Sequence, residues 1–135
     1  MIVVDTNVIA ALYLPNDYTD KAEKLLMLDG NWAAPQLWRS ELRNVLLHYL
    51  RKKLLSFEQI CQIQNQAEAL LHAHEYQINS VDVLRLAESS QCSGYDCEFM
   101  ALARYLNVKL VTQDKQILAQ FLQYTLALKD IEIKQ

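Results

Sequence analysis

Apolar positions along this chain follow two alternating patterns. Residues 2–4, "IVV", are β-branched with no polar interruption, which predicts a short strand buried on both faces. Residues 7–14 then read as a helix, with Asp5, Thr6 or Asn7 as its cap. Residues 18–28 repeat the helical pattern through Ala22, Leu25 and Leu26, and Gly30 closes it. Trp32 to Pro35 is a second short strand. From Trp38, apolar residues recur at Leu42, Val45, Leu46, Tyr49 and Leu50 with helical period. Ser56 with Gln59 opens the next helix as a capping box, running to about His74. Residues 75–79 are expected to be extended, and 81–90 and 94–106 helical. Lys109 to Thr112 reads as a strand, 114–122 as a helix, and Tyr124 to Leu128 as a last strand. Strands alternating with helices predict an α/β fold: a central parallel sheet of about five short strands with helices on both faces. Such sheets bind ligands at the carboxyl ends of their strands.

Composition narrows this picture. With 135 residues, one domain over 1–135 is expected, and with Gly 2 and Pro 2 its loops should be few. No apolar run reaches the ~18 residues of a membrane span. Residues 1–14 lack the basic start and small-residue cleavage site of a signal peptide, so a cytoplasmic protein without a membrane segment is expected. The formal net charge of -3 means that a nucleic-acid partner needs a local basic patch. The most basic stretch holds Arg39, Arg43, Arg51, Lys52 and Lys53. Arg39 and Arg43 flank Glu41 and are the candidates for contact with a phosphate backbone, whereas Arg51 to Lys53 suit a helix carboxyl end. Cys92 and Cys97 with His48, His72 and His74 have poor spacing for zinc. Trp32, Trp38 and Tyr95 are aromatic candidates for base stacking, although core packing is the commoner role.

Four acids stand out on this map. Asp5 ends the first strand and Asp114 follows the strand of "VKLVTQD", so both emerge at one edge of a parallel sheet. Glu41 sits in the first turns of its helix, at the margin of the apolar stripe. Asp96 precedes Phe99, Met100 and Ala103 by three, four and seven residues, which turns it toward the core side of its helix. Two carboxylates ~4 Å apart repel by about 4 kcal/mol at an effective dielectric near 20. A divalent cation with a taste for hard oxygen ligands, Mg²⁺ or Mn²⁺, is the usual remedy. Each acid alone also has a capping reading: Asp5 and Asp114 before their helices, Asp96 opposite Ser93, and Glu41 at a helix dipole.

The segments "VVDTNVI", "SELRNVL" and "YDCEFMALARYLNVKLVTQD" resemble the PIN domain, specifically the VapC toxins of toxin–antitoxin pairs, over essentially the whole chain. The resemblance implies a metal-dependent endoribonuclease that leaves a 5′-phosphate and a 3′-hydroxyl. Carried over by motif, the catalytic and metal-holding residues are Asp5, Glu41, Asp96 and Asp114, supported by Thr6, Asn7 and Thr112. The implied cofactor is Mg²⁺ or Mn²⁺. The implied partners are an RNA substrate, a VapB-like antitoxin and a second copy of the chain in a homodimer. The alternatives are a PIN nuclease of RNA processing without an antitoxin, and a non-catalytic PIN-like binding module whose acids are caps. Leu47 lies off the stripe of Leu42, Val45 and Tyr49, so two placements are open to it: facing outward as part of an apolar groove for a partner, or packing under a neighbouring helix of the same chain.

Overall fold

The computed structural model describes residues 1–132, and the last three residues of the expected 1–135 domain lie outside the described residues. Strand β1 (Ile2–Val4) leads into helix α1 (Thr6–Tyr13), followed by α2 (Thr19–Leu28) and β2 (Trp32–Pro35). Helices α3 (Leu37–Arg51) and α4 (Phe57–Leu71) lead to β3 (Glu75–Tyr76). Helices α5 (Ser80–Glu88) and α6 (Gly94–Leu106) lead to β4 (Leu110–Thr112), α7 (Lys115–Gln120) and β5 (Thr125–Ala127). The strands form one sheet in the order β3-β2-β1-β4-β5, and each neighbouring pair is parallel.

The sheet has covered faces because its strands have no polar side. Val3 and Val4, Ala33 and Ala34, and Leu110 and Val111 are all fully buried, although successive side chains point to opposite faces. Helices therefore pack on both faces. Trp32, Trp38, Phe99, Leu42, Leu46 and Met100 fill the space between helices and sheet. The helix boundaries follow local chemistry. Ser56 and Gln59 form both bonds of the capping box of α4. Ser93 Oγ accepts from the Asp96 N–H at the start of α6. Asn107 ends α6 with φ 56°, a left-handed conformation that asparagine tolerates better than most residues.

The topology defines where a ligand belongs. From β1, the chain builds one way through β2 and β3 and the other way through β4 and β5. The crevice beyond the carboxyl ends of β1 and β4 is thus the switch point of the sheet. Asp5 follows β1 directly and Asp114 lies two residues beyond β4. Among the described residues, no helix is long and apolar enough to cross a membrane.

Candidate functional site

Asp5, Glu41, Asp96 and Asp114 line a single cleft of about 480 Å³, together with Thr6, Asn7, Asn16 and Asn44. The four acids come from four segments of the chain, and the fold brings them to one edge of the sheet. None of the cleft's lining residues is basic. Among the described residues, none of the four carboxylates makes an ion pair.

Three polar side chains hold the acids in place. The Thr112 hydroxyl donates to Asp5 Oδ2 at 2.7 Å and accepts from the Asp114 N–H at 3.0 Å. It therefore joins the ends of β1 and β4. The Thr6 N–H donates to Asp5 Oδ1 at 2.8 Å, and its hydroxyl donates to Glu41 Oε1 at 2.6 Å. Thr6 thus ties the start of α1 to α3. Asn7 Nδ2 donates to Thr112 Oγ1 at 3.4 Å, and Asn7 Oδ1 accepts from the Gln113 N–H at 3.2 Å. These bonds lash the turn after β4 to α1. The capping readings also hold in part, since Asp5 is the N-cap of α1 and Asp114 Oδ1 accepts from the Ile117 N–H of α7 at 3.0 Å.

Burial and mutual repulsion set the electrostatics. The Asp5 carboxyl is pushed up to about 6, chiefly because it is buried, against the hydrogen bonds from Thr112 and Thr6 that favour its charged form. Glu41 is raised by burial and then by the charge of Asp96, and Asp96 by burial and then by the charge of Asp114. The site is an electronegative hollow in which charged carboxylates are disfavoured.

The donor set fits a hard divalent cation, with oxygen ligands and no competing cation in the cleft. Among the described residues, no three Asp, Glu, His or Cys side chains stand close enough together to hold a metal ion as they are placed. An ion in this cleft would be held in part through its own waters, as Mg²⁺ commonly is.

Some candidates from the sequence lie elsewhere. Arg39 is a correction: its guanidinium is committed to Glu75, at 2.6 Å, and to Glu68, at 2.8 Å, and does not line the cleft. Residues two apart on a helix do not share a face, so proximity to Glu41 in sequence does not place Arg39 beside it. Arg43 is exposed and lines a groove next to the cleft, as does Leu47, which is half-buried and lies off the core. Trp32 and Trp38 are fully buried core residues, and Trp38 Nε1 donates to Glu75; only Tyr95 of the three aromatics is exposed. Asn44, one turn after Glu41, escaped the sequence reading despite its helical spacing. So did Asn16, and so did Glu98, whose carboxyl is raised by burial and then by Glu41. Neither residue carries a spacing signal.

Known proteins share this architecture. The PIN domain family model matches residues 2–121. Ribonuclease VapC3 of Pyrobaculum aerophilum is 30% identical over 126 residues, which span 89% of this chain and 94% of that protein. The crystal structure of PAE2754 from Pyrobaculum aerophilum is similar in fold, with a TM-score of 0.75 at 20% identity, covering 95% of this chain and 90% of that one. A toxin–antitoxin complex from Klebsiella pneumoniae has a chain with a TM-score of 0.72 at 15% identity, covering 95% of this chain and 98% of that one. By the family match and the identity to its relative, the chain belongs to the PIN domain family.

Proposed function

We propose that this chain is a metal-dependent endoribonuclease, the toxin of a toxin–antitoxin pair, working as one PIN domain. The observation that carries the reading is the convergence of Asp5, Glu41, Asp96 and Asp114 on one cleft without a basic side chain to neutralise them. The similarity to a ribonuclease VapC and, in fold, to a toxin–antitoxin complex supports the same reading.

The four carboxylates would hold Mg²⁺ or Mn²⁺. When bound, the cation supplies the charge that shields an incoming phosphate and makes water a better nucleophile. The chain supplies the rest. Thr112 and Thr6 fix the orientations of Asp5 and Glu41 before substrate arrives. A carboxylate that the cation holds less tightly, such as Glu41 or Asp96, would take the proton from the attacking water.

The test is cleavage of a mixed RNA pool with Mg²⁺, alongside circular dichroism. Asp5→Asn keeps the size and capping ability of the side chain but loses its charge. We expect a folded protein without cleavage, and we expect Mn²⁺ to raise the melting temperature of wild type alone. Full activity in Asp5→Asn would refute the metal role. That outcome would leave Asp5 as a helix cap, a role its bond to the start of α1 already fills. Absence of cleavage by wild type would instead favour a non-catalytic module, in which Asp5 and Asp114 serve as caps. The same reading includes self-association into a homodimer and capture by a VapB-like antitoxin. Light scattering tests the first, and pull-down of the product of the adjacent upstream reading frame tests the second.

A further inference from the structure

Next to the acid cleft lies a groove of about 310 Å³, and the two share Glu41 and Asn44 as lining residues. Leu37, Leu47 and Tyr95 supply its apolar surface, and Arg43 lines it as well. On α3, Ser40, Asn44 and Leu47 form a row, with Glu41 on one side of it and Arg43 on the other. Tyr95 is 64% exposed although it immediately precedes Asp96. Arg43 is exposed, and among the described residues no carboxylate lies within ion-pair distance of it. An uncommitted guanidinium and an exposed phenol ring thus stand together at the mouth of an acidic cleft.

We propose that this groove holds the nucleotide adjoining the scissile phosphate of a single-stranded RNA, its base stacked on Tyr95 and its phosphate paired with Arg43. The proposal rests on the nuclease reading and extends it to a substrate subsite. A strand whose phosphate enters the cleft must continue beyond it, and this groove is contiguous with the cleft. A base offers a flat apolar face to Tyr95 and Leu47, while its polar edges meet Ser40 and Asn44. Its phosphate offers the charge that Arg43 lacks as a partner. A partner helix would need a row of apolar anchors. Here the apolar side chains of α3 are interleaved with Ser40, Glu41, Arg43 and Asn44, which suits a nucleotide better. Every base has a stacking face, so the subsite selects unpaired RNA more than it selects sequence.

The experiment is initial-rate cleavage of a single-stranded RNA oligonucleotide by the full chain with Mn²⁺, for wild type, Tyr95→Phe, Tyr95→Leu and Arg43→Gln. Light scattering and circular dichroism accompany each variant. Tyr95→Phe should keep the wild-type KM, because the ring is retained. Tyr95→Leu keeps an apolar surface but loses the stack, and should raise KM about tenfold. Arg43→Gln should raise KM and flatten its salt dependence by about one phosphate contact. Wild-type KM in both Tyr95→Leu and Arg43→Gln would overturn the subsite. A raised KM that appears only with a changed oligomeric state would also overturn it, and would assign the groove to a second copy of the chain. A wild-type protein that cleaves no RNA would overturn the underlying nuclease reading instead, so the two failures are distinct.

Discussion

Asp5 accepts two hydrogen bonds that favour its charged form, yet burial outweighs them and holds its carboxyl near 6. A folded-state value above the ordinary 3.8 means that the folded chain binds more protons in that interval. Stability from this residue is therefore largest at the acid end and falls as pH rises from about 4 through about 6. The whole penalty is on the order of 3 kcal/mol. Glu41 and Asp96 are shifted in the same direction and add to it. Urea melts of wild type and Asp5→Asn across this interval, with a chelator present, isolate the Asp5 share. The variant should gain on wild type as pH rises, by up to about 3 kcal/mol. A difference that does not change with pH would show that Asp5 titrates as an ordinary exposed aspartate. Asp96→Asn removes a charge that faces Asp114, so it should melt at or above the wild-type temperature without metal and respond less to Mn²⁺. A variant that melts well below wild type and still gains fully from Mn²⁺ would mark Asp96 as a structural residue.

At the scale of elements, α3 shows how a side chain's neighbours in sequence mislead. Arg39 stands two residues before Glu41, but its guanidinium binds Glu75 on β3 and Glu68 on α4. Trp38 Nε1 donates to the same Glu75. Together they clamp α3 to the edge strand of the sheet, and Arg39 holds Glu75 below the usual carboxylate range. Arg39→Met should therefore cost about 2 kcal/mol, because it leaves a largely buried carboxylate with one partner. RNA cleavage by the folded variant should keep its wild-type salt dependence. A flattened salt dependence at unchanged stability would return Arg39 to the RNA surface. The elements themselves were legible in the sequence because local rules decide them. Periodicity located α3, and the Ser56–Gln59 box located the start of α4. The direction of Arg39 was not legible, because it depends on which helix packs beside α3. The same limit applies to Asn16 and Glu98, which reach the neighbourhood of the cleft through tertiary placement alone. The acids were legible because strand-end position and apolar-stripe position are both properties of local pattern.

For the molecule as a whole, the last strand, at the edge of the sheet, braces the strand that leads into the cleft. The family match ends at residue 121, yet β5 pairs with β4 at Leu110, Val111 and Thr112. Those are the residues that carry the strand to Thr112 and Asp114. Beyond β5, Leu128 is fully buried and Ile131 nearly so, and this segment packs against α2. The segment therefore spans from the partner strand of the site to a helix that contributes nothing to the cleft lining. Leu128→Ala removes a buried side chain that does not line the cleft. It should cost about 2–5 kcal/mol in urea or thermal unfolding, by lost burial and the cavity left behind. The variant's surviving folded fraction should cleave RNA at the wild-type rate per folded molecule, since no cleft residue changes. If activity fell further than the folded fraction does, Leu128 would be positioning β4, and through Thr112 the Asp5 carboxyl, rather than only stabilising the fold. Adding Mn²⁺ separates the two cases. Binding to the folded state alone restores stability in the first, whereas a displaced Asp5 would blunt that restoration as well.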